Sequence, residues 1–264
     1  MTLRVSIAAA VLTPLVLPHL LRHRRQLRRG APTLVVYGIA AVAGAQLCYF
    51  NAVEHLSVAV ALLLEYSGTL LVVLWMWARH SHRPNRPTVV GAVVAIAGLA
   101  LVLDVFGDVT VDVTGVAWGL GAAVGLAVFF VLSAHSDDSV PPLVTAWGGL
   151  VVGAAVLGAA AAVGVLPVRT TSADVTLLDR DVSWLVPLLG MAVVAAAFAY
   201  VTGVAAARRL GAKLASFVGL TEVLFAVLFA WVLVGESLSP VQLVGGALVV
   251  AGIAFVKLGE DELV

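Results

Sequence analysis

The sequence predicts an all-α integral membrane protein built from two inverted-topology helical repeats, and three observations lead to this fold class. Of its 264 residues 62% are hydrophobic and 11% charged, with a mean hydropathy of +1.10, whereas soluble domains carry about 25% charged residues. Nine apolar segments each approach the ~20 residues that a helix needs to cross the hydrocarbon. Finally, part of the sequence recurs at a fixed offset of 154 positions.

The nine segments are expected to be helices because backbone polar groups find no water to bond inside a membrane. They cover residues 5–21, 33–53, 57–78, 87–104, 114–134, 141–165, 183–206, 212–234 and 240–257. The connections between them are too short to be separate domains. The sequence therefore predicts nine transmembrane helices and no extramembrane domain.

The distribution of Lys and Arg predicts the orientation of these helices, since basic residues concentrate in cytoplasmic loops. One set of alternate loops holds twelve of the 15 basic residues, from the cluster at 22–29 to Lys257 in the tail. The other set holds only Arg4, Arg169 and Arg180. We expect a multi-pass protein of the inner or plasma membrane with a cytoplasmic C-terminus.

The internal repeat is found by shifting the chain 154 residues without a gap. The matches that carry most weight are Trp77 on Trp231, Gly91 on Gly245 and Gly98 on Gly252. Equivalent loops differ in charge, so the two copies should cross the membrane in opposite senses. We expect repeats over 1–104 and 113–258. Inverted repeats are typical of secondary transporters, whose substrate site lies near the midplane between the halves.

Several other classes of protein are disfavoured by the sequence. The neutral net charge says nothing about nucleic acid, which we do not expect as a partner of a membrane protein. The single cysteine, Cys48, excludes an internal disulfide and a cysteine-based metal cluster. The motifs of intramembrane and other hydrolytic enzymes are missing. We expect no enzyme activity, no metal and no cofactor.

Two stretches resemble a known family. The stretch 219–236, which ends in Gly-Glu, and the Gly-containing run 242–252 resemble the closing helices of EamA-type transporters of the drug/metabolite transporter superfamily. The stretch 64–69, Leu-Glu-Tyr-Ser-Gly-Thr, resembles the first-half segment of amino-acid exporters such as the threonine/homoserine exporter, where a proline tends to stand in place of Thr69. No proline stands at the equivalent second-half place, Glu222-Val223, either.

The resemblance implies a ten-helix fold of two five-helix halves, and its first helix is not found here because the chain begins within the family's second helix. We expect either a misplaced start, which we favour, or a nine-helix variant. The family also implies export of amino acids, other small metabolites or drug-like compounds, driven by an ion gradient, usually of protons.

Two carboxylates stand inside the apolar segments. Glu65 lies about 12 Å and Glu222 about 16 Å from the predicted ends of their segments, near the middle of a ~30 Å slab. In the repeat register Glu65 falls on Gly219 and Glu222 on Gly68, so they should lie one helical turn apart on equivalent faces. An ionised carboxylate there costs at least ~3 kcal/mol, so it should face a cavity or be protonated part of the time.

We predict that these two residues form a substrate and proton site. No basic residue is predicted deep in any segment, which leaves room for a cationic substrate group such as an α-amino group. The alternative is that each Glu bonds a neighbouring polar side chain and stabilises helix packing. Further candidates for the site are polar residues near the two carboxylates in sequence or in the repeat register: Gln46, Tyr49, Asn51, Ser67, Thr69, Tyr200, Thr202, Ser216 and Thr221.

The leading hypothesis is thus a secondary transporter that works by alternating access within the lipid bilayer, with a small-molecule substrate and protons as its ligands. A passive facilitator would need the same cavity but no titrating residue. A scaffold subunit that requires a partner chain is another alternative. Glycines at four-residue spacing, as at 115–125 and 149–153, favour close helix contacts within the fold or in a homodimer.

Overall fold

A computed structural model describes most of the chain. The described residues are 2–22, 24–80, 84–105, 112–135, 140–164, 175–177, 180–229, 231–232 and 239–261.

Twelve α-helices follow one another in the described residues. They are α1 (Thr2–Arg22), α2 (Arg24–Val36), α3 (Ala45–His55), α4 (Val58–Tyr66), α5 (Gly68–His80), α6 (Arg86–Val102), α7 (Val113–Ala134), α8 (Pro142–Ala162), α9 (Leu185–Ala192), α10 (Ala199–Gly219), α11 (Thr221–Phe229) and α12 (Pro240–Asp261). Two π-helical segments, Tyr37–Gly44 and Val193–Phe198, join α2 to α3 and α9 to α10.

Seven helical stretches in the described residues are long and apolar enough to cross a membrane. The helix α6 is apolar but shorter. Within the stretch Leu185–Gly219 the backbone kinks at Gly211, whose φ of 76° and ψ of 162° are not helical. A positive φ is readily adopted by glycine alone. This kink lies between the predicted segments 183–206 and 212–234, and the described residues of the nine predicted segments are largely helical.

Two regions predicted as loops are ordered. The basic cluster at 22–29 is not a loop, because α1 extends to Arg22 and α2 begins at Arg24. Arginine is a good helix former, and a run of it continues a helix readily. In the outer loop, strands β1 (Val175–Leu177) and β2 (Arg180–Val182) pair antiparallel.

The chain forms two compact units. Unit 1 comprises residues 1–46 and 132–209, and unit 2 comprises 47–131 and 210–264. Each unit therefore contains segments from both predicted repeats.

Unit 1 is held together by glycines of α8. A Cβ on Gly153 would lie 2.5 Å from a methyl of Val42, and the ring of Tyr37 occupies the space beside Gly149. Tyr37 is only 1% exposed. The glycine pair at 149 and 153 thus serves packing within the fold, as the sequence favours.

In unit 2, α6 and α12 cross in backbone contact. A Cβ on Gly91 would lie 2.6 Å from the carbonyl oxygen of Gly252, and one on Gly98 would lie 2.6 Å from that of Gly245. These four glycines are the two pairs matched by the repeat. Because 91 meets 252 and 98 meets 245, the helices run antiparallel. The two copies of this helix therefore have opposite directions, as an inverted repeat requires.

Candidate functional site

Two helix interruptions in unit 2 lie at equivalent positions of the repeat. The first separates α4 from α5 at Ser67, and the second separates α10 from α11 at Leu220. A shift of 154 residues places Tyr66, the last residue of α4, on Leu220. Discontinuous helices in corresponding positions of two repeats are a feature of transporter binding sites, because their free backbone ends and neighbouring side chains can contact a ligand.

Hydroxyl groups stabilise both interruptions. The hydroxyl of Ser67 donates to the carbonyl of Leu64 at 2.5 Å, and that of Thr221 donates to the carbonyl of Val218 at 2.7 Å. In the repeat register Ser67 falls on Thr221 and Leu64 on Val218, so donors and acceptors correspond. Such side-chain bonds compete with the helical backbone ladder. The helices are therefore interrupted without the prolines that the family often places there.

The hydroxyl of Tyr66 is influenced by both predicted carboxylates. Tyr66 is 8% exposed, and its hydroxyl is within hydrogen-bonding reach of the carboxyl group of Glu222. Glu65 and Tyr49 are also near enough to act electrostatically on this hydroxyl. Tyr66 and the three polar residues that act on its hydroxyl, Glu222, Glu65 and Tyr49, all belong to unit 2. We call these four residues the Tyr66 cluster.

The two carboxylates differ in their surroundings. Glu222 lies in the first turn of α11, where a negative charge interacts favourably with the helix dipole. Its side chain is exposed at the surface of the chain, whereas Glu65 is half-buried on the last turn of α4. Of the two carboxylates, Glu222 is therefore the more exposed and Glu65 the more enclosed.

The other predicted polar residues of unit 2 bond chiefly to their own helices. Thr69 donates to the carbonyl of Tyr66 at 3.0 Å, Ser216 to that of Lys213 at 2.7 Å, and the Asn51 amide to that of Leu47 at 2.8 Å. These bonds follow the pattern expected of residues that serve helix packing. They do not prevent a hydroxyl oxygen from accepting a second hydrogen bond.

Three predicted site residues lie in unit 1. Gln46 is buried and accepts a 2.6 Å hydrogen bond from Nη2 of Arg4. Thr202 donates to the backbone of its own helix, at 2.9 Å to Phe198. Tyr200 interacts with Tyr37, so it belongs to a second polar group.

That second group stabilises one end of unit 1. The hydroxyl of Tyr37 lies in the neighbourhood of Ser133, Tyr200 and Arg208, which act on it electrostatically. The guanidinium of Arg208 donates to the carbonyl of Val140 and, at 2.8 Å, to the hydroxyl of Thr145. These contacts tie α10 to the start of α8.

Sequence reasoning missed two residues. Tyr66 was not selected, although it follows Glu65 directly and stands where the family pattern has an aromatic residue. Lys213 was assigned to a basic loop, yet it is buried with 9% of its surface exposed. In the ranges that the structure describes, no group of three or more His, Cys, Asp or Glu side chains could hold a metal ion.

These features define a helical membrane protein of two repeats with one carboxylate next to each helix interruption. The model of the EamA-like transporter family matches residues 1–104 and 113–258. The chain therefore belongs to the EamA-like transporter family.

Characterised and uncharacterised transporters are among its relatives. The threonine/homoserine exporter RhtA of Escherichia coli strain K12 is 27% identical over 252 residues, which cover 94% of this chain and 78% of the exporter. The uncharacterized transporter YwfM of Bacillus subtilis strain 168 is 26% identical over 231 residues, which cover 85% of this chain and 73% of YwfM. An uncharacterized transporter of Archaeoglobus fulgidus is 27% identical over 238 residues, which cover 90% of this chain and 80% of that transporter.

A solved crystal structure shares the fold. It superposes with a TM-score of 0.78 at 22% sequence identity, and the superposition covers 99% of this chain and 87% of the chain in that crystal structure. The all-helical, two-repeat fold predicted from the sequence is confirmed.

Proposed function

We propose that this transporter exports small polar metabolites, amino acids or related compounds, in exchange for protons and by alternating access. The observation that carries the proposal is the Tyr66 cluster, in which the Tyr66 hydroxyl lies within hydrogen-bonding reach of Glu222 and near Glu65. Ionisable residues within membrane-spanning segments commonly mark substrate paths and proton relays.

The class of substrate is proposed from the relatives. A relative at 27% identity is a threonine/homoserine exporter, and the carboxyl, hydroxyl and phenol groups of the cluster suit a small polar compound. The ligands of this chain are then an amino acid or a related metabolite, and protons. The plasma membrane is its proposed location, with a cytoplasmic C-terminus, and a homodimer is a candidate assembly.

The test compares metabolites in the medium around cells that express equal amounts of three chains. They are the wild type, Glu222→Gln, and Glu54→Gln as a matched control, since Glu54 is an exposed carboxylate at the end of α3. We expect the wild type and the control to enrich an amino acid outside. We expect Glu222→Gln to lose about tenfold or more of that export, because its amide cannot exchange a proton.

Other outcomes would select the alternatives. If Glu222→Gln kept downhill flux, the chain would be a passive facilitator. If no metabolite were enriched by any chain, and purified protein in liposomes carried no flux, the chain would not be an autonomous exporter.

A further inference from the structure

Arg4 is a cation inside a membrane-spanning stretch of the chain. The sequence places it in an outer loop, whereas the structure places it in the first turn of α1, within the apolar stretch Thr2–Leu20. Its guanidinium donates from Nη2 to Oε1 of Gln46 at 2.6 Å. Gln46 lies on α3, about 13 Å along the helix from its end at His55. The guanidinium therefore lies well inside the apolar span Gly30–His55.

No counter-charge for Arg4 is found in the part of the chain that the structure describes. No carboxylate of these residues lies within ion-pair distance of the guanidinium. The elements that pack most closely against α1 are α8, α9 and the π-helical segment Val193–Phe198, and their sequences contain neither Asp nor Glu. A cation within a membrane-spanning segment is costly and usually has a partner or a functional role. An anion bound from outside the chain would supply that partner.

The groups that surround this charge are hydrogen-bond donors. The Nε–H of Arg4 is shielded from water and has no acceptor among the described residues. Because Oε1 of Gln46 accepts from Arg4, the amide N–H groups of Gln46 are further donors beside the cation. Gln46 is 8% exposed and held by its surroundings, whereas Arg4 is only half-buried, so part of its guanidinium is accessible. A cation that is poorly hydrated on one edge attracts an anion more strongly than a fully hydrated one does.

We propose that Arg4, oriented by Gln46, binds the carboxylate group of the transported substrate. A guanidinium pairs with a planar carboxylate through two parallel hydrogen bonds, which give both strength and a fixed orientation. A phosphate group has suitable oxygens too, but lipid headgroups lie at the membrane surface and not at the depth of Gln46. This inference rests on the proposed function and names the substrate group that these two residues of unit 1 recognise.

The bond between Arg4 and Gln46 also ties α1 to α3, so substitutions at either residue are expected to change stability as well as binding. The two effects can be separated, because a ligand that binds only the folded protein raises its melting temperature. The response of each variant is therefore measured relative to its own melting temperature without ligand.

The experiment records the melting temperature of purified protein in detergent over a range of ligand concentrations. Sodium propionate supplies a carboxylate alone, and L-threonine is compared with L-threoninol hydrochloride, in which an alcohol replaces the carboxylate. Sodium phosphate and sodium chloride control for another anion and for ionic strength. The chains are the wild type, Arg4→Gln, Gln46→Glu and, as a matched control, Arg209→Gln, which removes an exposed arginine of unit 1.

We expect propionate and L-threonine, but neither L-threoninol nor sodium chloride, to raise the melting temperature of the wild type and of Arg209→Gln. Arg4→Gln should bind both carboxylates about tenfold more weakly or worse, which is the loss expected for a charge-assisted hydrogen bond. Gln46→Glu places a carboxylate of the chain beside the guanidinium. This variant should remain folded and lose the response to propionate, because its own carboxylate occupies Arg4.

Several results would overturn the inference. A wild-type response in Arg4→Gln or in Gln46→Glu, or no response of the wild type to either carboxylate, would remove the site. Equal responses to L-threonine and L-threoninol would mean that the carboxylate is not recognised. Stabilisation by phosphate and not by propionate would assign the site to a phosphate group, whether from a lipid or free in solution.

The export assay on the same chains in cells separates this inference from the proposed function. Export that is lost in Glu222→Gln, together with no response of the purified protein to a carboxylate, would remove the Arg4 site and leave the proposed function. A carboxylate response that depends on Arg4, without export of any metabolite, would do the reverse.

Discussion

At the residue scale, the sequence selects the two carboxylates as site candidates but not Tyr66, whose hydroxyl both of them influence. Glu65 and Glu222 were recognisable because an ionisable side chain within a membrane-spanning segment is energetically costly and commonly has a functional role. Tyr66 carries no such signal, since a tyrosine is common among apolar residues and its role depends on which helices meet around it. Gln46, Tyr200 and Thr202 were grouped with the carboxylates by sequence position and stay predictions. All three lie in unit 1, where Gln46 accepts a hydrogen bond from Arg4 and Thr202 donates to its own helix.

A residue-scale prediction concerns the pH dependence of stability at the start of α7. Asp112 accepts a 2.7 Å hydrogen bond from the backbone N–H of Thr114 and a 3.0 Å contact from His55. The hydrogen bonds from Thr114, and the nearby His55, lower the pKa of Asp112 from its usual 3.8. A carboxyl whose pKa is lower in the folded state than in the unfolded state stabilises the fold when the pH is above its unfolded-state pKa. This stabilisation is lost as the pH falls through the folded-state pKa.

The variant Asp112→Ala should therefore melt at a lower temperature than the wild type at neutral pH. The difference should shrink below the ordinary pKa of 3.8, as the wild-type carboxylate becomes protonated. Asp112→Asn is the matched control, since asparagine is an equally good helix cap without the charge. Melting in detergent across this pH range is the measurement, and a difference that stayed constant with pH would contradict the assignment.

At the element scale, nine apolar segments predicted the helices, because helix is the form that satisfies backbone groups in lipid. The interruptions at Ser67 and Leu220 were not predicted, because no proline marks them and a hydroxyl bonded three residues back looks like any other serine or threonine. The π-helical segments likewise have no recognised sequence signal. The antiparallel crossing of α6 and α12, in contrast, could be anticipated from glycines that recur in register.

The crossing gives an element-scale prediction with neighbouring positions as test and control. A Cβ on Gly245 would lie 2.7 Å from the carbonyl oxygen of Gly98, whereas one on Gly246 would lie 3.6 Å from a methyl of Leu224. Gly245→Ala should lower the free energy of unfolding by about 1–3 kcal/mol, as overpacking does. Gly246→Ala should change it little.

Denaturation in detergent by heat or by sodium dodecyl sulfate measures both variants. Equal effects of the two substitutions would mean that loss of glycine in α12, and not contact with α6, determines the stability. Gly98→Ala should reproduce Gly245→Ala, since each glycine meets the other's carbonyl.

At the scale of the whole molecule, the repeat and the distribution of basic residues predicted the fold class. Which helices make up each of the two units could not be predicted. Unit 2 takes most of α3 and all of α4 to α6 from the first predicted repeat, and most of α7, the end of α10, α11 and α12 from the second. Which helices assemble depends on contacts between residues more than a hundred positions apart, and sequence periodicity carries no information about these.

Inverted topology predicts that equivalent residues face opposite sides of the membrane. Arg86 and Pro240 are exposed, begin α6 and α12, and are separated by the repeat offset of 154 residues. In chains whose single cysteine, Cys48, is replaced by alanine, Arg86→Cys should react with a membrane-impermeant thiol reagent only from the cytoplasmic side. Pro240→Cys should react only from outside, and Lys257→Cys from the cytoplasmic side. If Arg86→Cys and Pro240→Cys reacted from the same side, the antiparallel crossing of α6 and α12 would not span the membrane, and alternating access between two inverted halves would lose its structural basis.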